Sequence, residues 1–192
     1  MLGDSSLHRN PRLLFTAKHP TISTTKLLVK LVDPTCYSEE VHRTLAKEGL
    51  APLLHGTAYV AGAPSAIVME YLDPSSGWTT LQDYISEHRE VKITTEHPAL
   101  IKLLRTMKEK NVVHGDLRPN NIMCRAPPDG GTEGQALEVK VVDFDWAGML
   151  GSTNYPAIMN PNIKWPGEPR GFISKGDDET LLAQMLAMCY DA

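Results

Sequence analysis

The chain of 192 residues is poor in cysteine and has no long apolar run. Its cysteines, Cys36, Cys124 and Cys189, lie far apart and form no CxxC pair or Cys/His spacing. This argues against a disulfide framework and against a zinc site. No apolar run approaches the length of a membrane span, and the first ten residues contain no apolar signal-peptide core. We therefore expect reduced, buried thiols in an intracellular protein, cytoplasmic or nuclear, with no membrane partner.

The chain also lacks an excess of positive charge. It has 19 Lys and Arg against 23 Asp and Glu, a formal net charge of −4. A protein that binds nucleic acid by neutralising phosphates has the opposite balance, so we expect no nucleic-acid partner. With 42% hydrophobic and 22% charged residues, the composition is that of a globular domain with a real core.

Hydrophobic periodicity predicts a strand-rich first part. Residues 12–19 and 26–32 read as strands, 39–49 as a helix with a glycine stop, and 57–72 as a hairpin with Gly62 in its turn. Residue Lys30 interrupts an otherwise apolar strand. Taken alone, such a lysine is typical of an edge strand that is protected against aggregation.

The second part of the chain is predicted to be mainly helical. Residues 149–176 carry four prolines and are predicted to be irregular. The whole pattern predicts an α+β fold with a flexible N-terminus over 1–11, a β-rich part over 12–72 and a mainly helical part over 73–192. The predicted elements of this second part are helices at 79–88, 98–111 and 177–190 and short strands at 121–125 and 138–144.

Three polar residues indicate where chemistry takes place. Asp116 and Asn121 lie five apart in a turn after a hydrophobic lead-in, and Asp143 ends a predicted buried strand. Asn121 starts the partner strand of that hairpin, so its amide oxygen and the Asp143 carboxylate can converge. Mg²⁺ takes few protein oxygens, and these two supply such a half-shell. Asp116, a little further out, can orient an attacking hydroxyl.

Five motifs, in order, resemble the protein-kinase superfamily. The loop HGDLRPNN resembles its catalytic loop, and VVDFDWAG its metal-binding segment. The combination is most similar to divergent protein-kinase-like proteins of fungi and covers about residues 25–190. The other three motifs are KLLVKLV (26–32), EEVHRTLAKEGLAP (39–52) and IVMEYL (67–72), which resemble the lysine strand, the helix of the paired glutamate and the adenine-binding segment.

The resemblance implies a bilobal fold that binds ATP and Mg²⁺ between an incomplete N-lobe and a shortened helical C-lobe. It implies γ-phosphoryl transfer to a hydroxyl, with Ser or Thr of a protein as the expected acceptor. Asn121 and Asp143 would hold the metal, and Asp116 would orient the hydroxyl. Lys30 would meet phosphate oxygens, steadied by Glu40, which immediately precedes the Val-His pair.

The resemblance assigns further roles around this centre. Met69 would lie at the back of the adenine pocket, while the main chain of Glu70 and Leu72 would bond the purine. Arg118 would meet the transferred phosphate, as a lysine does in Ser/Thr kinases. Asp178 is favoured over Asp177 as the buried aspartate that pins the catalytic loop.

Several departures from the family pattern leave alternatives open. Gly115 stands where most kinases have arginine, Asp145 replaces the last glycine of DFG, and no GxGxxG precedes Lys30. Asp145 is interpreted as either a second metal oxygen or a helix cap, and we favour the cap. We interpret His114 as a buried structural histidine. The missing glycine loop and short C-lobe lead us to expect a truncated chain. The alternatives are a pseudokinase that only binds ATP and a small-molecule kinase of the choline or aminoglycoside type.

Overall fold

The computed structural model describes residues 13–18, 26–33, 35–59, 61–126 and 137–190. The predicted flexible N-terminus over 1–11 lies outside these residues. Among the described residues, no helix is long and apolar enough to cross a membrane.

The first part of the chain forms one antiparallel sheet in the order β1-β2-β4-β3. Strand β2 lies inside this sheet, where Lys30 pairs with Ile67 of β4 and Leu14 of β1. The predicted hairpin is confirmed, although its first strand begins three residues earlier than expected; Gly62 lies in the turn at φ +76°. The strands are β1 (Leu13–Lys18), β2 (Lys26–Val32), β3 (Leu54–Ala58) and β4 (Ser65–Glu70).

Helix α1 (Glu39–Lys47) connects β2 to β3. The Ser38 side chain caps it by accepting a hydrogen bond from the Val41 N–H. Two glutamates in the first turn and one lysine in the last complement the helix dipole. The helix ends before Gly49, whose φ of +74° suits glycine at this position.

The second part is mainly helical, as predicted. Residues 149–176 are largely irregular, with one bridge between Asn154 and Phe172. The helices are α2 (Leu81–Glu87), α3 (Pro98–Glu109) and α4 (Asp177–Tyr190). Strands β5 (Thr79–Thr80), β7 (Ile122–Arg125) and β8 (Glu138–Val141) form one small sheet, and β6 (Val112–Val113) pairs with β9 (Gly148–Met149).

Two of the three hydrophobic clusters in the described part of the chain hold the sheet and α1. The larger one spans the second part and includes Val41 and Leu45 of α1 and Leu50 after it. Helix α1 therefore packs on the helical part, although it is encoded among the strands. The smaller cluster lies under the sheet and consists of Val32, Leu54, Ile67 and Met69.

The thiols are free, but the prediction that all are buried is wrong for Cys36, which is exposed. Cys124 is buried, and burial raises the pKa of its thiol to about 12, so it stays protonated at neutral pH. Cys189 is partly buried on α4.

Candidate active site

A buried carboxylate fixes the start of the loop over 114–121. Asp178, at the start of α4, accepts hydrogen bonds from the backbone N–H groups of His114 and Gly115, each at 2.8 Å. Burial raises the pKa of Asp178, while these bonds oppose the shift. Neighbouring Asp177 accepts instead from Tyr155 and from the Ser174 N–H. The preference for Asp178 as the loop anchor is confirmed.

Glycine at position 115 has a steric cause. Its φ is +79°, and a Cβ there would lie 2.8 Å from the Ile173 Cδ1 atom and 2.9 Å from the Trp146 carbonyl oxygen. An arginine would therefore be both strained and crowded. His114 is fully buried beside it, with Nε2 3.1 Å from the Val142 carbonyl, as expected for a structural histidine.

The acid and the amide of the loop contact each other directly. Asn121 Nδ2 donates to the main-chain oxygen and to Oδ2 of Asp116, both at 2.9 Å. Asp116 and Asn121 are therefore direct neighbours. The Arg118 guanidinium donates to both oxygens of the same carboxylate, with Nη2 2.7 Å from Oδ2. Such a bidentate pair fixes the carboxylate plane.

The structure also places Asp143 and Asn121 on one wall. The Val142 N–H donates to the Asn121 carbonyl at 2.9 Å, and both Asn121 and Asp143 line the same cavity. Asp143 has a φ of +71°, a conformation that is uncommon outside glycine and often marks functional sites.

The donor set fits a magnesium ion. Because Asn121 Nδ2 donates to Asp116, Oδ1 is the amide atom that can coordinate a cation. Among the described residues, no group of three or more His, Cys, Asp or Glu side chains could hold a metal. One carboxylate and one amide oxygen suit Mg²⁺, which takes its remaining ligands from water and phosphate.

The partner of Lys30 differs from the prediction. Its Nζ lies 2.6 Å from Asp143 Oδ1 and also bonds the Asp145 carboxylate, and Lys30 is only 6% exposed. The interpretation of Lys30 as an edge-strand lysine is therefore wrong, since β2 is internal. The interpretation of Asp145 as a helix cap is wrong too, because no helix begins there.

Glu40 does not reach Lys30, so the predicted Lys30–Glu40 pair is absent from the described residues. The buried face of α1 is occupied by Val41, His42 and Leu45, which leaves Glu40 exposed to solvent. The preceding Glu39 does not substitute, because its carboxylate binds Arg43 and accepts from Tyr59.

A histidine not predicted from the sequence connects α1 to the acidic segment. His42 stacks on Phe144, with ring centroids 4.5 Å apart, and its Nε2 lies 2.7 Å from the Pro52 carbonyl. Tyr37 shares a short hydrogen bond with His42 Nδ1. The Ser38 N–H also donates to the Phe144 carbonyl at 3.1 Å. The spacing of the buried positions in α1 was the signal available in the sequence, but it could not identify the residue on which His42 packs.

A cavity of about 260 Å³ lies between the sheet and the loop. Met69 forms part of its buried wall, while Glu70 and Leu72 line the connecting segment. The Glu70 N–H donates to the Leu53 carbonyl at 2.8 Å, so this donor is not available to a purine. Lys30 and Asp143 line the same cavity, so the predicted adenine, phosphate and metal residues share one space.

A second cavity of about 160 Å³ adjoins the first at Asp143. Asp116 and Arg118 lie on its wall, and the irregular segment contributes Trp165, whose Nε1 donates to the Asn160 carbonyl at 2.9 Å. The Arg118 guanidinium lies 5.6 Å from the centre of the Trp165 ring. Trp165 therefore borders the space next to Asp116.

The two cavities together can hold a phosphorylated ligand and a hydroxyl side by side. One cavity can hold a phosphorylated ligand against Lys30 and Asp143, and the other can hold a hydroxyl beside Asp116. Asp143 lines both cavities, so a group bound in one lies near a group bound in the other. Lys30 sits at the first cavity as a buried cation with two carboxylate partners.

The comparisons agree with this geometry at the level of the fold. No protein-family model and no curated protein sequence matches the chain. Among solved structures, the chain is similar to the Cydia pomonella granulovirus kinase PK-1, with a TM-score of 0.53 and 16% sequence identity. The similarity covers 77% of this chain and 53% of the viral kinase, so the chain spans about half the length of that protein.

The fold is therefore kinase-like: an antiparallel sheet with α1, followed by a mainly helical part. This confirms the predicted α+β, bilobal fold class. The finer resemblance to fungal proteins and the expected truncation gain no support from the comparison.

Proposed function

We propose that the chain is an ATP- and Mg²⁺-dependent phosphotransferase that moves the γ-phosphoryl group to a hydroxyl, with Ser or Thr of a protein as the acceptor. The observation that carries this proposal is the junction of the two cavities. There Lys30 and Asp143 face one space, and Asp116 faces the other. Phosphoryl transfer needs positioning and charge stabilisation at such a junction, more than it needs covalent chemistry by the protein.

The nucleotide would lie in the larger cavity. The apolar walls at Met69 and Leu72 suit a purine, and the Lys30 ammonium is the cation available for phosphate oxygens. Asn121 and Asp143 would hold Mg²⁺. When bound, this ion supplies charge neutralisation across the phosphates.

Asp116 would orient the acceptor hydroxyl and accept its proton. Its carboxylate is held by the Arg118 fork and by the Asn121 amide, so its position is fixed before any acceptor arrives. Arg118 is placed to stabilise charge on the transferred group as well, because it lines the same cavity.

One observation favours a second candidate, a small-molecule kinase. The cavity beside Asp116 measures only about 160 Å³ and is walled by Trp146 and Trp165. A space of this size accommodates one side chain or one small alcohol. A panel of Ser and Thr peptides and of small amino alcohols separates the two acceptor classes.

The test pairs binding with turnover in two variants. Calorimetry should show Mg·ATP binding, weakened by the absence of a GxGxxG segment before Lys30. Asp143→Asn should reduce both binding and transfer; asparagine is chosen because it tolerates the positive φ of this position. Asp116→Asn should leave the nucleotide affinity nearly unchanged and cut transfer by about 10²-fold or more.

Glu90→Gln is a suitable control, because it removes an exposed acidic side chain outside both cavities. Binding that is indifferent to Mg²⁺, or equal in Asp143→Asn, would contradict the metal assignment. If the chain binds Mg·ATP but transfers phosphate to no acceptor, and Asp116→Asn changes neither quantity, the pseudokinase alternative holds instead.

A further inference from the structure

The carboxylates that hold Lys30 both come from one short segment. Asp143 and Asp145 are two residues apart, and each bonds the Lys30 ammonium across the cleft. Their side chains are 10% and 32% exposed, and that of Lys30 is 7% exposed. A buried ammonium needs a carboxylate partner, because an unpaired buried charge is strongly destabilising.

We propose that Asp145 is the positioning residue that steadies Lys30 toward the nucleotide phosphates, in place of a carboxylate on α1. This inference rests on the proposed function. It assigns a role to the residue that departs from the glycine of the resembling motif. Lys30 is then held by the segment 143–145 and not by a side chain of α1.

Charge pairing explains why two carboxylates are needed. Asp143 is the candidate metal ligand, and a carboxylate engaged by Mg²⁺ is a weaker partner for Lys30. Asp145 then remains as the anion beside the ammonium. It lines the second cavity and not the first, so it approaches Lys30 from outside the nucleotide cavity.

Helix α1 cannot take over this role without losing its own contacts. The Ser38 N–H is bonded to the Phe144 carbonyl, and the His42 ring is stacked on the Phe144 ring. A rotation that brought Glu40 to Lys30 would break both contacts and expose Val41, which is fully buried.

The direction in which ATP affinity changes when Asp145 is removed separates a positioning role from a direct electrostatic effect on the nucleotide. Removing a negative charge near a polyphosphate should tighten ATP binding if Asp145 acts directly on the ligand or competes with it for Lys30. If Asp145 acts by holding Lys30 in place, its removal should weaken ATP binding instead. The two interpretations therefore predict opposite changes.

The experiment measures dissociation constants of Mg·ATP, Mg·ADP and adenosine by calorimetry. We expect Asp145→Asn to weaken ATP and ADP binding by about tenfold and to leave adenosine within about twofold, since adenosine has no phosphate for Lys30. Asp145→Glu should recover most of the loss. Glu40→Gln should bind all three ligands as the unaltered chain does.

A double-mutant cycle completes the design. In a Lys30→Met background, Asp145→Asn should cause no further loss of ATP affinity, because both variants remove the same interaction. Urea unfolding of each variant checks that it folds. If Asp145→Asn does not fold, two variants still test the assignment. Asp145→Glu should bind ATP nearly as well as the unaltered chain, and Glu40→Gln should bind both ATP and adenosine unchanged.

The outcomes separate the inference from the proposed function. If the unaltered chain binds none of the three ligands, the proposed function fails. If it binds ATP and Asp145→Asn binds ATP equally well or more tightly, Asp145 does not position Lys30. A tenfold loss of ATP affinity in Glu40→Gln, with adenosine unaffected, would return the role to α1 and overturn the inference.

Discussion

The imidazole of His42 lies parallel to the ring of Phe144, with centroids 4.5 Å apart and planes inclined by 12°. Its Nε2 faces the Pro52 carbonyl, so Nε2 must carry the proton, and Nδ1 accepts from the Tyr37 hydroxyl. Every polar atom of the ring is thus satisfied in the neutral form. Burial lowers the pKa of His42 to about 4.

The first prediction concerns stability against pH. An unfolded histidine has a pKa of about 6.5, so below that value the unfolded state binds a proton that the folded state resists. The contribution of His42 is complete above about pH 6.5 and is lost as the pH falls toward about 4. The loss amounts to about 3 kcal/mol. Urea unfolding at a series of pH values measures it.

His42→Gln is the matched variant, because glutamine can donate to Pro52 but cannot be protonated. The difference in unfolding free energy between the two proteins should shrink as the pH falls from 6.5 to 4. A difference that stays constant over this range would mean that His42 titrates normally in the folded protein.

The second prediction compares two glycines of similar conformation. Gly115 and Gly49 have φ values of +79° and +74°, but a Cβ at Gly49 meets no atom within 4 Å. Gly49→Ala should cost about 1 kcal/mol, the price of the backbone conformation. Gly115→Ala should cost about 3 kcal/mol or more, because its Cβ also collides with the Trp146 carbonyl. Thermal unfolding measures both, and equal losses would rule out the collision.

The third prediction concerns the anchor of the loop over 114–121. Asp178 receives one backbone N–H on each carboxylate oxygen, whereas Asp177 receives both of its bonds on one oxygen. Asparagine has a single acceptor oxygen, so Asp178→Asn should leave one buried N–H without a partner and cost about 2 kcal/mol. Asp177→Asn can keep both bonds and should cost clearly less. Similar losses in chemical denaturation would show that the second oxygen of Asp178 is dispensable.

The fourth prediction concerns the fork on Asp116. Arg118→Lys keeps the positive charge but cannot bond both carboxylate oxygens in one plane or cover the Trp165 ring. We expect phosphoryl transfer to fall by about tenfold while the affinity for Mg·ATP stays unchanged, because Arg118 lines the second cavity only. Turnover and calorimetry are measured on the same preparation. A parallel loss of ATP affinity would place Arg118 in the nucleotide site.

The sequence predicted the strands, the helices and the loop that contains Asp116 and Asn121, because these depend on local periodicity and turn chemistry. It also brought Asn121 and Asp143 to one wall, since they belong to one hairpin. The partner of Lys30 could not be predicted from the sequence. Glu39 and the candidate Glu40 lie on a short helix, and only the packing of Val41 and Leu45 against the helical part decides which way the glutamates face.

A second limit was the meaning of Asp145. Asp145 lies only two residues from Asp143, which was a usable signal that both carboxylates could serve one cation. The sequence favoured a helix cap over a second metal oxygen, because aspartate is a common cap residue. The surroundings of Trp165 were also unpredictable, because residues 149–176 have no periodicity from which contacts could be inferred.

The uneven distribution of the hydrophobic core has a consequence for how the molecule opens. The sheet rests on a small cluster of Val32, Leu54, Ile67 and Met69, whereas α1 belongs to the larger one. Cooperative units with few buried apolar contacts unfold at lower free energy, so the amides of the sheet should exchange with deuterium before those of α1. In such an opening Lys30 moves with the sheet, while Asp143 and Asp145 remain with the helical part. The opening thus breaks the contacts of Lys30 with Asp143 and Asp145. A ligand that binds both the sheet and the helical part would therefore slow amide exchange in the strands far more than in the helices.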